Sequence, residues 1–117
     1  MPQSSVQSKQ DLRIAVVGAG MMGADHIIRI GTKIVGATVS AVVEPDQTRA
    51  QAALANTNGA VWFENIADAI AANAMDAVLI ATPGQFHEPV LLPAIEAGLP
   101  ILCEKPLAPD SAAAMRI

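Results

Sequence analysis

The sequence predicts an α/β fold built on a doubly wound parallel sheet. Three observations carry that expectation. Short apolar runs alternate with longer stretches of helical spacing, a glycine cluster follows the first run directly, and an acidic residue closes the second. Composition agrees: hydrophobic residues make up 52% of the 117-residue chain and charged residues 15%, enough apolar material for the core of one domain. Aromatics are only 3% (Trp62, Phe63 and Phe86), so Val, Ile, Leu, Ala and Met must fill that core. This suits a sheet between helices, and suits a base-stacking nucleic-acid platform poorly.

Leu12–Val17 (LRIAVV) reads as a strand buried on both faces. A helix from Met22 to Lys33 follows the glycines, with Ile27, Ile30 and Ile34 at helical spacing. Gly36 turns the chain into a second strand, Ala37–Val43, which ends on Glu44-Pro45-Asp46. Asp46 is placed to cap a helix through Arg49 to Ala55. Asn56-Thr57-Asn58-Gly59 is a turn cluster, and Ala60–Phe63 a short third strand. Asn65 can cap an Ala-rich helix to Ala72, and Asp76–Ala81 forms the fourth strand. Thr82-Pro83-Gly84 leads into a helix from Phe86 to Ala97, stopped by Gly98, with Pro93 predicting a kink or a late start. Pro100–Cys103 is the fifth strand, and Asp110 caps a last helix still running at Ile117. Residues 1–11 are polar and rich in Ser and Gln, a flexible tail ahead of a domain spanning 12–117.

Charge and cysteine content narrow the function classes. Seven basic against eleven acidic residues give a net charge of −4, with no run of Lys or Arg, so the basic footprint of nucleic-acid binding is missing. The single Cys103 excludes an internal disulfide and fits a reducing compartment. No apolar stretch approaches the roughly 18 residues of a membrane span, and Met1–Gln10 lacks a secretory apolar region; a cytoplasmic location without membrane partners is expected. His26 and His87 lie far apart, and with one cysteine they make no metal site.

The glycine cluster Gly18-Ala19-Gly20-Met21-Met22-Gly23 is the main chemical signal. Following a strand and opening a helix, it matches a dinucleotide-binding (Rossmann) turn. In such a turn Gly18 permits the sharp exit from the strand, Gly20 lets the backbone approach a pyrophosphate, and Gly23 lets helix and strand pack closely. Backbone N–H groups at the helix start, those of Met21 and Met22 included, face the phosphates. Glu44 lies about 20 residues beyond Gly23, the spacing of a carboxylate that accepts from the adenosine ribose hydroxyls. A carboxylate there repels a 2′-phosphate and favours NAD. Arg49 nearby keeps NADP open, although it also reads as a solvated helix residue.

A second constellation lies downstream: Ala81-Thr82-Pro83-Gly84-Gln85-Phe86-His87, a helix with Ala94, Glu96, Ala97 and Gly98, then Ile101-Leu102-Cys103-Glu104-Lys105-Pro106-Leu107. Together with the glycine turn it resembles the Gfo/Idh/MocA family of NAD(P)-dependent oxidoreductases, from Leu12 to the end of the chain. Met22-Gly23-Ala24-Asp25-His26-Ile27 and Cys103-Glu104-Lys105-Pro106-Leu107-Ala108 are most similar to inositol 2-dehydrogenases within it. The resemblance implies that Lys105 contacts the substrate oxygen as the catalytic residue. Thr82 and Pro83 turn the chain beside the nicotinamide, His87 lies near the cofactor pocket, and Glu104 orients Lys105 or the cofactor. A Lys after a buried strand, partly desolvated, suits acid/base work; its bland reading is a surface Lys at a strand end. For His87 the bland reading is a helix-start histidine bonded to backbone, and for His26 a packing residue. Met21 and Met22 depart from the commoner family pattern, in which one of these positions is polar or basic.

The implied reaction moves hydride between a carbinol carbon of a polyol or sugar and NAD. Family members carry a second α/β domain with further substrate residues and often the oligomer interface, so the chain reads as a fragment of a homo-oligomeric enzyme, inactive alone. Two other readings stay open. One is an NAD-sensing or regulatory module, and the other a different Rossmann reductase acting on an imine or an aldehyde-acid.

Overall fold

The computed structural model describes residues 12–33, 36–82, 87–103 and 115–116, without the side chains of Met21, Met22, Thr32, Lys33 and His87. Its elements are β1 (Leu12–Val17), α1 (Met21–Lys33), β2 (Ala37–Val43), α2 (Gln47–Leu54) and β3 (Val61–Phe63). They continue with α3 (Ile66–Ala71), β4 (Ala77–Ile80), α4 (His87–Glu96) and β5 (Ile101–Cys103). The five strands form one sheet in the order β3-β2-β1-β4-β5, and every pairing is parallel. That is the expected doubly wound architecture, with each strand end displaced from the sequence expectation by at most one residue.

Because β1 occupies the middle, both its faces must be apolar, and Ala15, Val16 and Val17 are buried to within 2%. Alternate residues feed two cores. Ala15 and Val17 join Ala41, Val43, Val78 and Ile80 beneath α3 and α4, which contribute Ile66, Ala69, Leu91 and Ala94. Val16 joins Val39, Val42 and Leu79 beneath α1 and α2, which contribute Ile27, Ile30 and Ala53. Small residues dominate both lists, which lets helices sit close to the sheet and explains why so few aromatics suffice. Ile27 and Ile80 are completely buried, each contributing about 1.5–3 kcal/mol by transfer out of water. The β1–β2 register shifts between Ile14 and Ala15, where Ile14 opposes Val39 and Ala15 opposes Ala41. Ser40, the residue skipped, donates its hydroxyl to the Ala74 carbonyl at 2.6 Å.

Helix ends follow their local chemistry. Asp46 caps α2 by accepting from the N–H groups of Thr48 and Arg49, and Asn65 caps α3 by accepting from Asp68. Helix α4 ends in a Schellman turn. Leu99 N–H donates to the Ala94 carbonyl, Gly98 N–H donates to that of Ile95, and Gly98 has φ +73°. Helix α3 ends the same way on Asn73 (φ +52°), whose N–H reaches Ile70 while that of Ala74 reaches Ala69. The late start expected of α4 is not seen. The helix begins at His87 and runs through Pro93, held by the buried Leu91 and Ala94 on either side. At the amino ends of β1 and β4, Asp76 accepts from Arg13 N (2.9 Å), Nε (3.3 Å) and Nη2 (3.1 Å). Arg13 Nη1 also donates to the Asn73 carbonyl.

Candidate cofactor site

In a sheet of this order the strand connections diverge between β1 and β4, and the carboxyl ends there open a crevice that takes ligands. Gly18 follows β1 and Thr82 follows β4, so the two lie side by side at that point. Gly18 has φ +93°, and a Cβ on it would come within 2.9 Å of both Thr82 Cγ2 and Thr82 N. Its N–H donates to the Val43 carbonyl at 2.8 Å, and Ala81 N–H to the Val17 carbonyl at 2.8 Å. These bonds carry the sheet ladder one residue further and hold the loop against both neighbouring strands.

The three glycines answer to different neighbours. At Gly23 an added Cβ would run into the Gly18 carbonyl, so α1 can approach β1 only without a side chain there. At Gly20 an added Cβ would meet no atom of the described residues within 4 Å, its chain neighbours aside, and no left-handed φ calls for glycine. The fold needs Gly18 and Gly23 for itself; at Gly20 the described residues impose no such need. The first turn of α1 begins beside it, and the leading N–H groups of a helix have no acceptor within the helix itself.

Glu44 sits one residue beyond β2 and is only 5% exposed. Its Oε1 accepts from Ala19 N at 2.7 Å, inside the glycine loop, and its Oε2 accepts from Asp46 N at 3.0 Å. Its own N–H donates to the Phe63 carbonyl (3.0 Å), and its carbonyl accepts from Trp62 Nε1 (2.8 Å). Each carboxylate oxygen keeps lone-pair capacity beyond its single backbone donor. Arg49 is exposed on α2, its Nε 3.8 Å from Asp46 Oδ2, as a solvated helix residue would be.

The structure therefore brings together Gly18, Gly20, Gly23, Glu44 and Thr82, with the backbone of Met21 and Met22 opening the same helix. The side chains of Met21, Met22 and His87 lie outside the described residues, as do Pro83, Glu104, Lys105, the Asp110 cap and the tail 1–11. His26 is half-buried in α1, and Cys103 is half-buried against the core under α4. No group of three metal-ligating side chains occurs among the described residues, and no described helix is long and apolar enough to cross a membrane. Sequence reasoning missed the roles of Ala19 and Trp62. A short apolar run carries no sign that an indole reaches back to the carbonyl just beyond a neighbouring strand. A cleft of about 530 Å³ lies at the other end of the sheet, among Ile27, Ile30, Thr38 and Asn56. The glycine loop is at the opposite strand ends, so that cleft takes no part in the site.

The model of an oxidoreductase family with an NAD-binding Rossmann fold, Gfo/Idh/MocA, matches residues 12–117. The chain belongs to the Gfo/Idh/MocA family. Inositol 2-dehydrogenase of Corynebacterium glutamicum (strain R) is 66% identical over 108 residues, covering 92% of this chain and 32% of the relative. Myo-inositol dehydrogenase from Lactobacillus casei, solved with NAD(H) and myo-inositol, superposes with a TM-score of 0.85 at 32% identity, over 92% of this chain and 32% of that one. Scyllo-inositol dehydrogenase of the same organism, solved with NAD(H) and scyllo-inositol, gives 0.84 at 29% identity with the same coverage. This Gfo/Idh/MocA chain thus spans about a third of the length of the curated relatives it matches. As a member it has the family's NAD-binding Rossmann fold, and it is similar to the matching third of the inositol 2-dehydrogenases.

Proposed function

We propose that the chain supplies the cofactor half of an inositol 2-dehydrogenase-like enzyme, which oxidises a ring carbinol of a polyol or sugar and prefers NAD to NADP. The observation that carries the reading is Gly20, a glycine with no internal steric or conformational need, beside the opening turn of α1. Glu44 adds to it, because a carboxylate buried against that loop offers its remaining lone pairs to ribose hydroxyls and repels a 2′-phosphate. The names of the relatives support the substrate class.

When bound, NAD contributes a nicotinamide carbon that accepts or returns hydride. The chain's residues do the rest of the work on this side of the reaction. Gly18, Gly20, Gly23 and the N–H groups of Met21 and Met22 receive the pyrophosphate, and Glu44 holds the adenosine ribose. Thr82, Pro83 and His87 bound the nicotinamide end. Lys105, two residues past β5, donates to the substrate oxygen and stabilises the charge that develops there, with Glu104 orienting it. The general base comes from residues outside this chain, so the 117 residues alone bind cofactor and turn over nothing, and the longer enzyme is a homo-oligomer. Calorimetric titration with NAD⁺ and NADP⁺ at equal ionic strength tests the reading. Tighter binding of NAD⁺ is expected; a folded chain that binds neither would sink it, and polyol-dependent NADH formation by the chain alone would refute its inactivity.

A further inference from the structure

Glu44 stands on open ground. It follows the last residue of β2, precedes the exposed Pro45, and lies outside any helix or strand. Pro45 has no N–H to return to the sheet, and its ring only biases Glu44 toward extended backbone. Yet the carboxylate must reach Ala19 N and Asp46 N together, which requires the backbone of Glu44 to be fixed in rotation as well as in position. Two consecutive residues of β3 fix it. Phe63 accepts from the Glu44 N–H at 3.0 Å, extending the ladder that pairs Val43 with Phe63. Trp62, paired in register with Val42, folds its indole back so that Nε1 donates to the Glu44 carbonyl at 2.8 Å. The indole N–H is the only polar atom of that side chain, and a half-buried strand position needs no donor for packing.

We infer that Trp62 is a positioning residue of the cofactor site: its indole N–H holds the Glu44 carbonyl and so aims the carboxylate at the glycine loop and the adenosine ribose. Val61–Phe63 is a three-residue edge strand, too short to hold that carbonyl by ladder bonds alone. The inference rests on the cofactor reading above, and it adds to that reading a residue that touches no part of the ligand. Loosening Glu44 weakens the grip on ribose hydroxyls and at the same time softens the repulsion of a 2′-phosphate. Trp62 therefore governs the ratio of the two affinities, which a residue that merely supports the fold would not.

The test compares the 117-residue chain with Trp62→Phe, titrating each calorimetrically with NAD⁺ and with NADP⁺. Loss of one hydrogen bond in series with the carboxylate should lower NAD⁺ affinity about fivefold. NADP⁺ affinity should stay within about twofold, so that the preference narrows. Equal losses for both dinucleotides, or no loss, would overturn the inference and leave the cofactor reading standing. Failure of the unsubstituted chain to bind either would overturn both. Should Trp62→Phe lose the circular-dichroism spectrum of the parent, the emission of Trp62, the chain's one tryptophan, is followed in the unsubstituted protein. A change on saturation with NAD⁺ that nicotinamide mononucleotide does not reproduce is expected, because the mononucleotide lacks the adenosine ribose. No change, or an equal change with both, overturns the inference.

Discussion

A methyl group added at Gly23 would press on the Gly18 carbonyl, whereas one added at Gly20 would meet no atom of the described residues within 4 Å, its chain neighbours aside. The two substitutions should therefore separate stability from binding. Gly23→Ala is expected to lower the unfolding free energy by about 1–3 kcal/mol, since backbone must shift to admit the methyl. Gly20→Ala should leave it within about 0.5 kcal/mol while NAD⁺ affinity falls at least roughly tenfold. Urea unfolding and calorimetry on the same samples would show it, and a Gly20→Ala that binds NAD⁺ normally would contradict the proposed site. Glu44→Gln does both kinds of damage. Whichever way the amide turns, its NH₂ faces the N–H of Ala19 or of Asp46, leaving a buried donor without an acceptor at a cost of about 1–3 kcal/mol. Preference for NAD⁺ over NADP⁺ should shrink in the same variant. At this scale the sequence made the acid after β2 legible by spacing alone. It did not show that both oxygens of Glu44 already hold backbone, because the Ala19 partner depends on where two loops meet in space and the Asp46 partner on how the chain turns at Pro45.

Between elements, the pair Arg13–Asp76 joins β1 to β4 at their amino ends. Side-chain and then backbone hydrogen bonds from Arg13 hold the Asp76 carboxyl below its ordinary 3.8. A lowered folded-state value means that the pair's contribution is present above the unfolded-state pKa near 3.9, and is lost as pH falls through the folded value. Asp76→Asn removes that titration, so its stability should fall less steeply than the parent's below about pH 4 in acid unfolding followed by circular dichroism. An acid limb as steep as the parent's would mean that other carboxylates dominate it. Strands β1 and β2 were legible because runs such as LRIAVV and ATVSAVV are mostly apolar, as strands covered on both faces must be. A helix spanning Pro93 was legible, but that the proline would not delay its start was not. The proline's local cost is outweighed by the burial of Leu91 and Ala94, which no local signal reports. The end of α3 near Ala72 was legible, but the part of Asn73 in it was not, since it does there what glycine usually does.

For the whole molecule, cofactor binding and folding are linked. If only the folded chain binds NAD⁺, a concentration near 100 times Kd adds about 2.7 kcal/mol to its stability, worth roughly 10–20 °C in Tm for a domain of this size. NADP⁺ at the same concentration should raise Tm less, and equal shifts from the two would argue against Glu44 as the discriminating group. The alternation of apolar runs and helical spacing was enough to lay out the sheet. The catalytic role proposed for Lys105 rests on the Glu104-Lys105-Pro106 motif, which lies outside the described residues.

Strand β1 is made long before the second of its two neighbours. Its β2 neighbour lies close in sequence, but its β4 neighbour is far away: Arg13 and Asp76 are 63 residues apart. During synthesis the β1–α1–β2 segment can therefore assemble early, while the wall that Thr82 gives to Gly18 cannot exist until β4 has emerged and the long loop has closed. A nascent chain halted before Asp76 would carry the whole glycine motif and still lack one side of its crevice. On the proposed function, the dinucleotide could be held only after the middle of the sheet is sealed, well after the residues that give the motif its signature have left the ribosome.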